Sequence, residues 1–416
     1  MNYFIKNIHI NNLYHLHDFD IPIADESTPH LMLTGKNGSG KTVLLNAIAS
    51  FLDRVKRDSD MNFNNYRKWY ERDFQQYDRL KDSNDEATLM HLRANIERYK
   101  KEIDSIFGKI EPEFVNLPAL ISDYQKGDFI IAFYEAARKP QMIEPQNPTK
   151  PTYSVKGDAK QTATSQFLNF MSDLKIQEAL ARNEKEMDDA DRINEWFVDF
   201  ENLLKQIYQD EELQLKFNYR DYSFRINTEG KSFKFTELSD GFAAILDIVA
   251  DLILKMQTPD SVTRAYSKKG IVLIDEVETH LHLELQRIIM PILTKVFPNI
   301  QFIITTHSPF VLNSLDNAVA FDLEHREIID ELTQYSYAAL AEGYFGVSSE
   351  SSYMQMQLER LEEILKKPGL CDSDKAEAVR IMADLDKVPE AVSPNLVGAY
   401  FDIKNKYASV IKNWLV

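Results

Sequence analysis

Hydrophobic and polar positions along the chain change period several times, and each change marks an element. Residues 2–9 and 17–23 alternate with period two and are joined by a short polar link, the pattern of half-buried strands. "HLMLTG" reads as a buried strand ending in glycine. From Lys41 to Arg57 the period becomes 3.6, and Leu44, Leu45, Ile48, Phe51 and Leu52 share one helix face. Residues 64–109 are helical and mixed in charge, with a turn near "DSND". They read either as an exposed helical pair or as an inserted arm that touches a partner or DNA. "DFIIAFYEA" predicts a buried strand, and the Pro-rich "RKPQMIEPQNPTKPTYSVKGDAK" a long loop. Residues 163–212 read as helical. "LQLKFNYRDYSFRINTEGKSFKF" reads as a strand meander turning at "RDY" and "TEGK".

The second half alternates. A helix over 240–256 precedes a strand at 270–274, a helix at 281–296 and a strand at 300–305. Two short strands, in "AVAFDLE" and "REIID", lead into helices that run to the end. Such alternation predicts a parallel α/β core. The expected divisions are 1–63, a mainly helical 64–212 with one core strand near 128–136, then 213–330, and a helical tail over 331–416. In the tail Met354, Leu358, Leu361 and Leu365 form a stripe, with Tyr400, Phe401, Tyr407, Ile411 and Trp414 as further apolar anchors. That stripe packs on its own head or docks a partner.

Composition narrows the picture in three ways. With 416 residues, burying a large core presents no difficulty. The net charge of -17 repels nucleic acid at long range, so contact with it is expected to be short-range or through a partner. A single cysteine, Cys371, excludes a disulfide within the chain and a cysteine-based zinc site, and it fits a reducing cytoplasm. The N-terminus lacks the apolar core of a signal peptide. The longest apolar run, "FAAILDIVADLIL", falls short of the roughly 20 residues that span a bilayer and is broken by Asp247 and Asp251. A cytoplasmic protein without membrane contact is expected.

"GKNGSGKT", Gly35 to Thr42, matches the phosphate-binding loop G-x-x-x-x-G-K-[ST] between a predicted strand and helix, the context that makes the match specific. Gly35, Gly38 and Gly40 let backbone N–H groups turn toward phosphates, assisted by the positive end of the helix. Asn37, Ser39 and Val43 complete the expected nucleotide contacts. Lys41 is placed to reach the β- and γ-phosphates, and Thr42 to hold Mg²⁺. "IVLIDE" is an apolar strand ending in two acids. Asp275 is the expected Mg²⁺ partner and Glu276 the expected general base for an attacking water. ATP and Mg²⁺ are therefore the expected ligands, and ATP hydrolysis the expected chemistry.

"TELSDGF" precedes an apolar helix and "TTHSPF" follows an apolar strand. In that order, these motifs resemble the ABC-type ATPases of the SMC/RecF-like branch. The resemblance implies an α/β fold: an ABC-type head of mixed β-sheets around a P-loop core, with a helical insertion and a helical C-terminal region. It further implies that two heads dimerise over two ATPs, or assemble into a higher oligomer. Ser239 and Gly241 would then meet the γ-phosphate held by the other head, and His307 would be the switch histidine. Asp240 and Phe242 stand where the family's LSGGQ has its second glycine and its glutamine. For the family's Q-loop glutamine the candidate is Gln125.

His280 and His282 leave a choice. As a His-x-His pair beside carboxylates they suit a metal, but no third ligand is apparent nearby. By the resemblance they lie in the D-loop and meet the opposing head. "DEVETHLHLELQ", "FIITTHSPFVLNSL" and "YSYAALAEGYFGVSSESS" look like the stand-alone ATPases of bacterial anti-phage systems, the PtuA-type ATPases of Septu and retron-associated systems, whose partner is an HNH nuclease. That implies an ATP-driven switch controlling a separate nuclease or effector subunit, with nucleic acid reached through the complex. The chain itself shows neither the acidic clusters of a Toprim nuclease after Phe310 nor an HNH pattern. The alternatives are a RecF-like DNA-repair ATPase and the ATPase subunit of an ABC transporter. "VETHLH" and the long insertion argue against the transporter.

Overall fold

Ile5, Ile8, Ile10 and Leu13 point inward from the first strand at the spacing that a pleated, half-buried strand requires. The structure is a computed structural model that describes residues 4–23, 29–57, 62–82, 85–138, 142–148, 160, 162–257, 266, 268–329, 352–367, 369–388 and 394–412. Two compact units divide the chain, Met1–Tyr335 and Ser336–Val416.

Among the described residues, the first unit holds three sheets. An antiparallel sheet joins β1 (Ile5–Leu13), β2 (Leu16–Pro22) and β4 (Ile110–Phe114) in the order β2-β1-β4. The central sheet has the order β12-β11-β3-β10-β9-β5. Its strands are β3 (His30–Thr34), β5 (Phe129–Tyr134), β9 (Lys269–Ile274), β10 (Ile300–Thr305), β11 (Ala318–Asp322) and β12 (Glu327–Ile329). All neighbours in it are parallel except the edge pair β11–β12. The third sheet is the meander β6 (Gln214–Asn218), β7 (Ser223–Thr228) and β8 (Lys231–Lys234).

Every residue of β3, β5 and β10 is buried, as parallel strands covered on both faces are. Helix α1 (Lys41–Arg57) packs Leu44, Leu45, Ile48, Phe51 and Leu52 into the core between the first two sheets. The insertion carries α2 (Asn62–Leu80), α3 (Glu86–Phe107) and α4 (Leu117–Lys126). It continues, beyond β5, with α5 (Phe167–Glu184) and α6 (Met187–Tyr208). The remaining helices of this unit are α7 (Asp240–Met256), α8 (Leu283–Val296) and the single turn α9 (Pro309–Leu312). This is an α/β fold with mixed sheets around the strand that carries the phosphate loop, as expected of an ABC-type head.

Gln301 ties the first sheet to the second. Fully buried, its amide oxygen accepts from the N–H of Phe4 (3.0 Å) and Ile5 (2.9 Å), and its nitrogen donates to the Ile5 carbonyl (2.9 Å). A buried amide is tolerated because its bonds to the backbone are made.

Three expectations change. The polar link after residue 9 is strand: Asn11 and Asn12 continue β1 because their N–H groups donate to the Lys109 carbonyl. The reversal is confined to Tyr14 and His15, with Tyr14 at φ 57. Strand β4 and helix α4 lie where no element had been placed between the arm and β5; β4 is an edge strand, so Pro112 costs no ladder bond in the interior. Gln125 sits in α4, before the N-terminal end of β5, whereas Gly35 to Thr42 follow the C-terminal end of parallel β3. The two ends of a parallel sheet are on opposite sides of the head, so Gln125 cannot meet the phosphates.

In the second unit α10 (Ser352–Leu365), α11 (Asp372–Leu385), α12 (Pro394–Lys406) and α13 (Ala408–Lys412) build a core of their own. The stripe Met354, Leu358, Leu361 and Leu365 packs there against Ile381, Leu385, Leu396, Tyr400 and Ile411. Its apolar surface is used inside the tail, so it is not an open docking face. Phe401 is exposed, while Trp414 and residues 335–351 lie outside the described residues. So does most of the Pro-rich stretch after Arg138.

Candidate functional site

The strand order builds the site. Strand β3 delivers the glycine loop and β9 delivers the acids, but the two are not neighbours; β10 runs between them. Thr305 and His307 therefore stand between the loop and the acids, an arrangement that sequence spacing does not reveal.

Within the loop, Gly35 and Gly40 have φ of 128 and 100, conformations that side-chain-bearing residues rarely adopt. A Cβ on Gly40 would also lie 2.9 Å from the Leu16 side chain. The buried Lys41 ammonium donates to the carbonyls of Gly35 (2.7 Å) and Lys36 (3.0 Å) and to the Ser39 hydroxyl (3.4 Å). Burial pulls its pKa below the ordinary lysine value, while Glu276, Glu278 and Asp275 oppose that shift. Lys36, at the loop surface, pairs with Glu324 at 2.9 Å.

Asp275 follows β9 and is buried. Its carboxylate accepts from the hydroxyls of Thr305 (2.6 Å) and Thr42 (3.1 Å). Thr42 and Asp275 thus bring two hard oxygen donors together at the start of α1, the donor chemistry that Mg²⁺ takes. Glu276 has φ 43, in the left-handed region that costs a residue with a side chain roughly 1–2 kcal/mol. Its N–H donates to the Thr305 hydroxyl (2.7 Å), and its carboxylate accepts from the Thr279 hydroxyl (3.2 Å).

Glu278 is mostly buried beside them, and its carboxylate receives the His307 N–H. Desolvation lifts its pKa, and the charge of Glu276 adds to the rise. His307 is held below the ordinary imidazole value, first by burial and then by the charge of Lys41. Ser308 fixes the segment beyond it. Its hydroxyl donates to Gln286 (2.7 Å) and accepts from the N–H groups of Phe310 and Val311.

A cavity of about 270 Å³ opens between these elements. Asn37, Gly38, Gly40, Lys41, Thr42, Val43, Glu276 and His307 line it, so eight of the residues singled out in the sequence meet in one place. Gly35, Ser39 and Asp275 back its walls through the bonds just described. Tyr14 and His15, the tip of the β1–β2 hairpin, also line it, and the His15 ring lies 3.1 Å from the Ser39 carbonyl. Sequence reasoning missed both, although a two-residue turn between alternating strands beside a phosphate loop was the signal. Arg138 and Glu278 were missed as well.

The remaining candidates do not line this cavity. Ser239 is exposed at the N-cap position of α7, where its side chain makes no capping bond. Gly241 is buried, and a Cβ there would lie 2.9 Å from the His280 carbonyl. Phe242 stacks on Tyr208, with ring centroids 4.0 Å apart. The helix expected from residue 281 begins at Leu283 instead, with His282 at its N-cap and His280 at φ 70. Both histidines are exposed, and among the described residues no three His, Cys, Asp or Glu side chains are grouped to hold a metal ion. Among those residues, no helix is long and apolar enough to cross a membrane.

Residues 120–313 match the family described as "AAA domain, putative AbiEii toxin, Type IV TA system". The Septu protein PtuA of Bacillus mycoides (strain KBAB4) is 24% identical over 400 residues, covering 92% of this chain and 50% of PtuA. The "Retron Vc95 probable ATPase" of Vibrio cholerae serotype O1 biovar El Tor is 24% identical over 365 residues, 72% of this chain and 69% of that protein. The "Retron Ec83 probable ATPase" of Escherichia coli is 43% identical over 94 residues, 22% of this chain and 17% of that protein. The chain thus spans about half the length of PtuA and less of the Ec83 protein. Its phosphate loop, its acid-ended strand and the match to an AAA domain thus make the chain similar to the Septu protein PtuA and to the probable ATPases of retrons.

Proposed function

We propose that the chain binds and hydrolyses ATP as the switch subunit of an anti-phage defence complex, and that it controls a separate nuclease, of the HNH type. The observation that carries this reading is the meeting of Lys41, Thr42, Glu276 and His307 around one cavity. Lys41 offsets phosphate charge, and the N–H groups of the glycine loop orient the phosphates. Glu276 takes the proton of the attacking water, and His307 donates to the terminal phosphate. Thr42 and Asp275 would hold Mg²⁺, which when bound offsets the charge of the phosphate oxygens. Two heads close over two nucleotides, with Ser239 and the backbone at Gly241 presented to the opposing site. Gly241 is additionally needed for space against the His280 carbonyl of its own head.

The experiment is to purify the chain with and without its neighbouring gene product and to incubate each with plasmid DNA, Mg²⁺ and ATP. Slow ATP hydrolysis by the chain alone, with cleavage only when the partner is present, is the expected result. Cleavage by the chain alone that survives every ATP-site substitution would reveal a second active site and overturn the division of labour.

The histidine pair is tested separately. Replacing His280 and His282 together by alanine should weaken ATP-dependent head association roughly tenfold, the ~1–2 kcal/mol that two interface side chains contribute. Elemental analysis should give the same metal content as the unmutated protein. Stoichiometric zinc or manganese that disappears in the double variant would establish a metal site instead.

A further inference from the structure

Arg138 lies four residues beyond β5, in a stretch whose sequence reads as loop, yet it is only 8% exposed. Its guanidinium reaches the main chain just past β9. One terminal nitrogen donates to the Asp275 carbonyl at 3.1 Å. The other donates to the carbonyls of Glu276 at 3.2 Å and Val277 at 3.4 Å. A single side chain therefore donates to three successive carbonyls of the acid-bearing turn.

Those carbonyls face the same group because the chain leaves regular strand geometry there. The N–H of Asp275 still pairs with the Tyr134 carbonyl of β5 (2.8 Å), and that of Val277 with the Thr305 carbonyl of β10 (3.2 Å). Between them Glu276 turns left-handed, at φ 43. A glutamate has no intrinsic preference for that region, so its surroundings must hold it there. The Thr305 hydroxyl holds the Glu276 N–H side of the turn, and Arg138 holds the carbonyl side.

We infer that Arg138 is a positioning residue for Glu276: its two-nitrogen grip on the carbonyls of Asp275, Glu276 and Val277 sets the turn that aims the Glu276 carboxylate into the nucleotide cavity. The inference rests on the ATPase reading above. Arginine suits this task better than lysine, because a planar fork fixes the direction of its bonds whereas an ammonium does not. Burial pushes the Arg138 pKa down, and the nearby acids Asp247, Glu278, Asp275 and Glu276 push it up, so the buried cation has compensating charge. Arg138 touches no expected position of a reacting atom; it acts through the turn.

The test compares Arg138→Ala and Arg138→Lys with the unmutated chain, each alone and combined with Glu276→Gln. ATP affinity is read by calorimetry, hydrolysis by phosphate release, and folding by the thermal midpoint. Both single variants should lower kcat roughly 10- to 100-fold and shift ATP affinity less than about threefold. In the Glu276→Gln background, substituting Arg138 should change the residual rate less than about threefold, because residues acting as a unit are not additive. Added guanidinium ion should restore part of the rate of Arg138→Ala. Arg138→Lys keeps the charge and serves as the folded comparison if the alanine variant unfolds. Full activity in Arg138→Lys, or an equal loss with and without Glu276, overturns the inference while leaving the ATPase reading intact. Absence of ATP hydrolysis by the unmutated chain overturns the ATPase reading, and this inference with it.

Discussion

Lys41→Ala should abolish measurable ATP binding by calorimetry while the chain stays folded. The ammonium sits at the entrance to α1, tied to the carbonyls of Gly35 and Lys36, where a short movement carries it to a phosphate oxygen. Hydrogen bonds to charged groups contribute about 1.5–3 kcal/mol each, so losing two costs roughly 3–6 kcal/mol, or about 10²–10⁴ in affinity. The acids Asp275, Glu276 and Glu278 remain in place and turn the local field against the nucleotide. A thermal melt separates loss of binding from loss of fold, since the helix face behind Lys41 is unaltered. Normal affinity in this variant would sink the phosphate-loop assignment.

Glu276→Gln should bind ATP as well as the unmutated chain and hydrolyse it about 10²–10⁴ times more slowly. Glutamine keeps the shape and can still accept from the Thr279 hydroxyl, but it cannot take a proton from water at neutral pH. The turn around it is anchored through main-chain atoms, so the substitution leaves the geometry in place. With hydrolysis blocked, the nucleotide-bound dimer should accumulate and be visible by size-exclusion chromatography with light scattering. An unchanged rate would mean that another group, reached through His307, serves as the base.

What the sequence disclosed were contiguous solutions to local chemistry. Cradling phosphates needs consecutive backbone groups, so Gly35 to Thr42 must appear as one string, and a buried strand ending in acids must appear as "IVLIDE". The order of the strands was hidden, and with it everything that reaches the site from elsewhere. Tyr14 and His15 arrive on a hairpin tip, Glu278 folds back beneath His307, and Arg138 comes from beyond β5. Gln125 was placed near the site only because the direction of β5 was unknown. The acids that interrupt the apolar run of α7 were legible as breaks but not as bonds: Asp251 is fully buried and accepts from the Tyr134 hydroxyl at 2.7 Å. In the tail, the stripe from Met354 to Leu365 reported that a face is covered without saying by what.

The interleaved strand order also governs how the chain comes into being. Strand β3, which carries the glycine loop, has β10 and β11 as its neighbours, and residue 4 is fastened to Gln301. A ribosome making about 5–20 residues per second needs tens of seconds to travel from the first of these strands to the last. For that interval the loop-bearing strand is an apolar ribbon without its flanking strands, and the phosphate site lacks His307 as well as its acids. A product released early would carry the most recognisable motif of the protein and none of its chemistry. It would also present an unpaired edge that invites association with other chains. Strand β3 thus gains its flanking strands only with the last third of the chain, so the proposed ATP site cannot form before they are made.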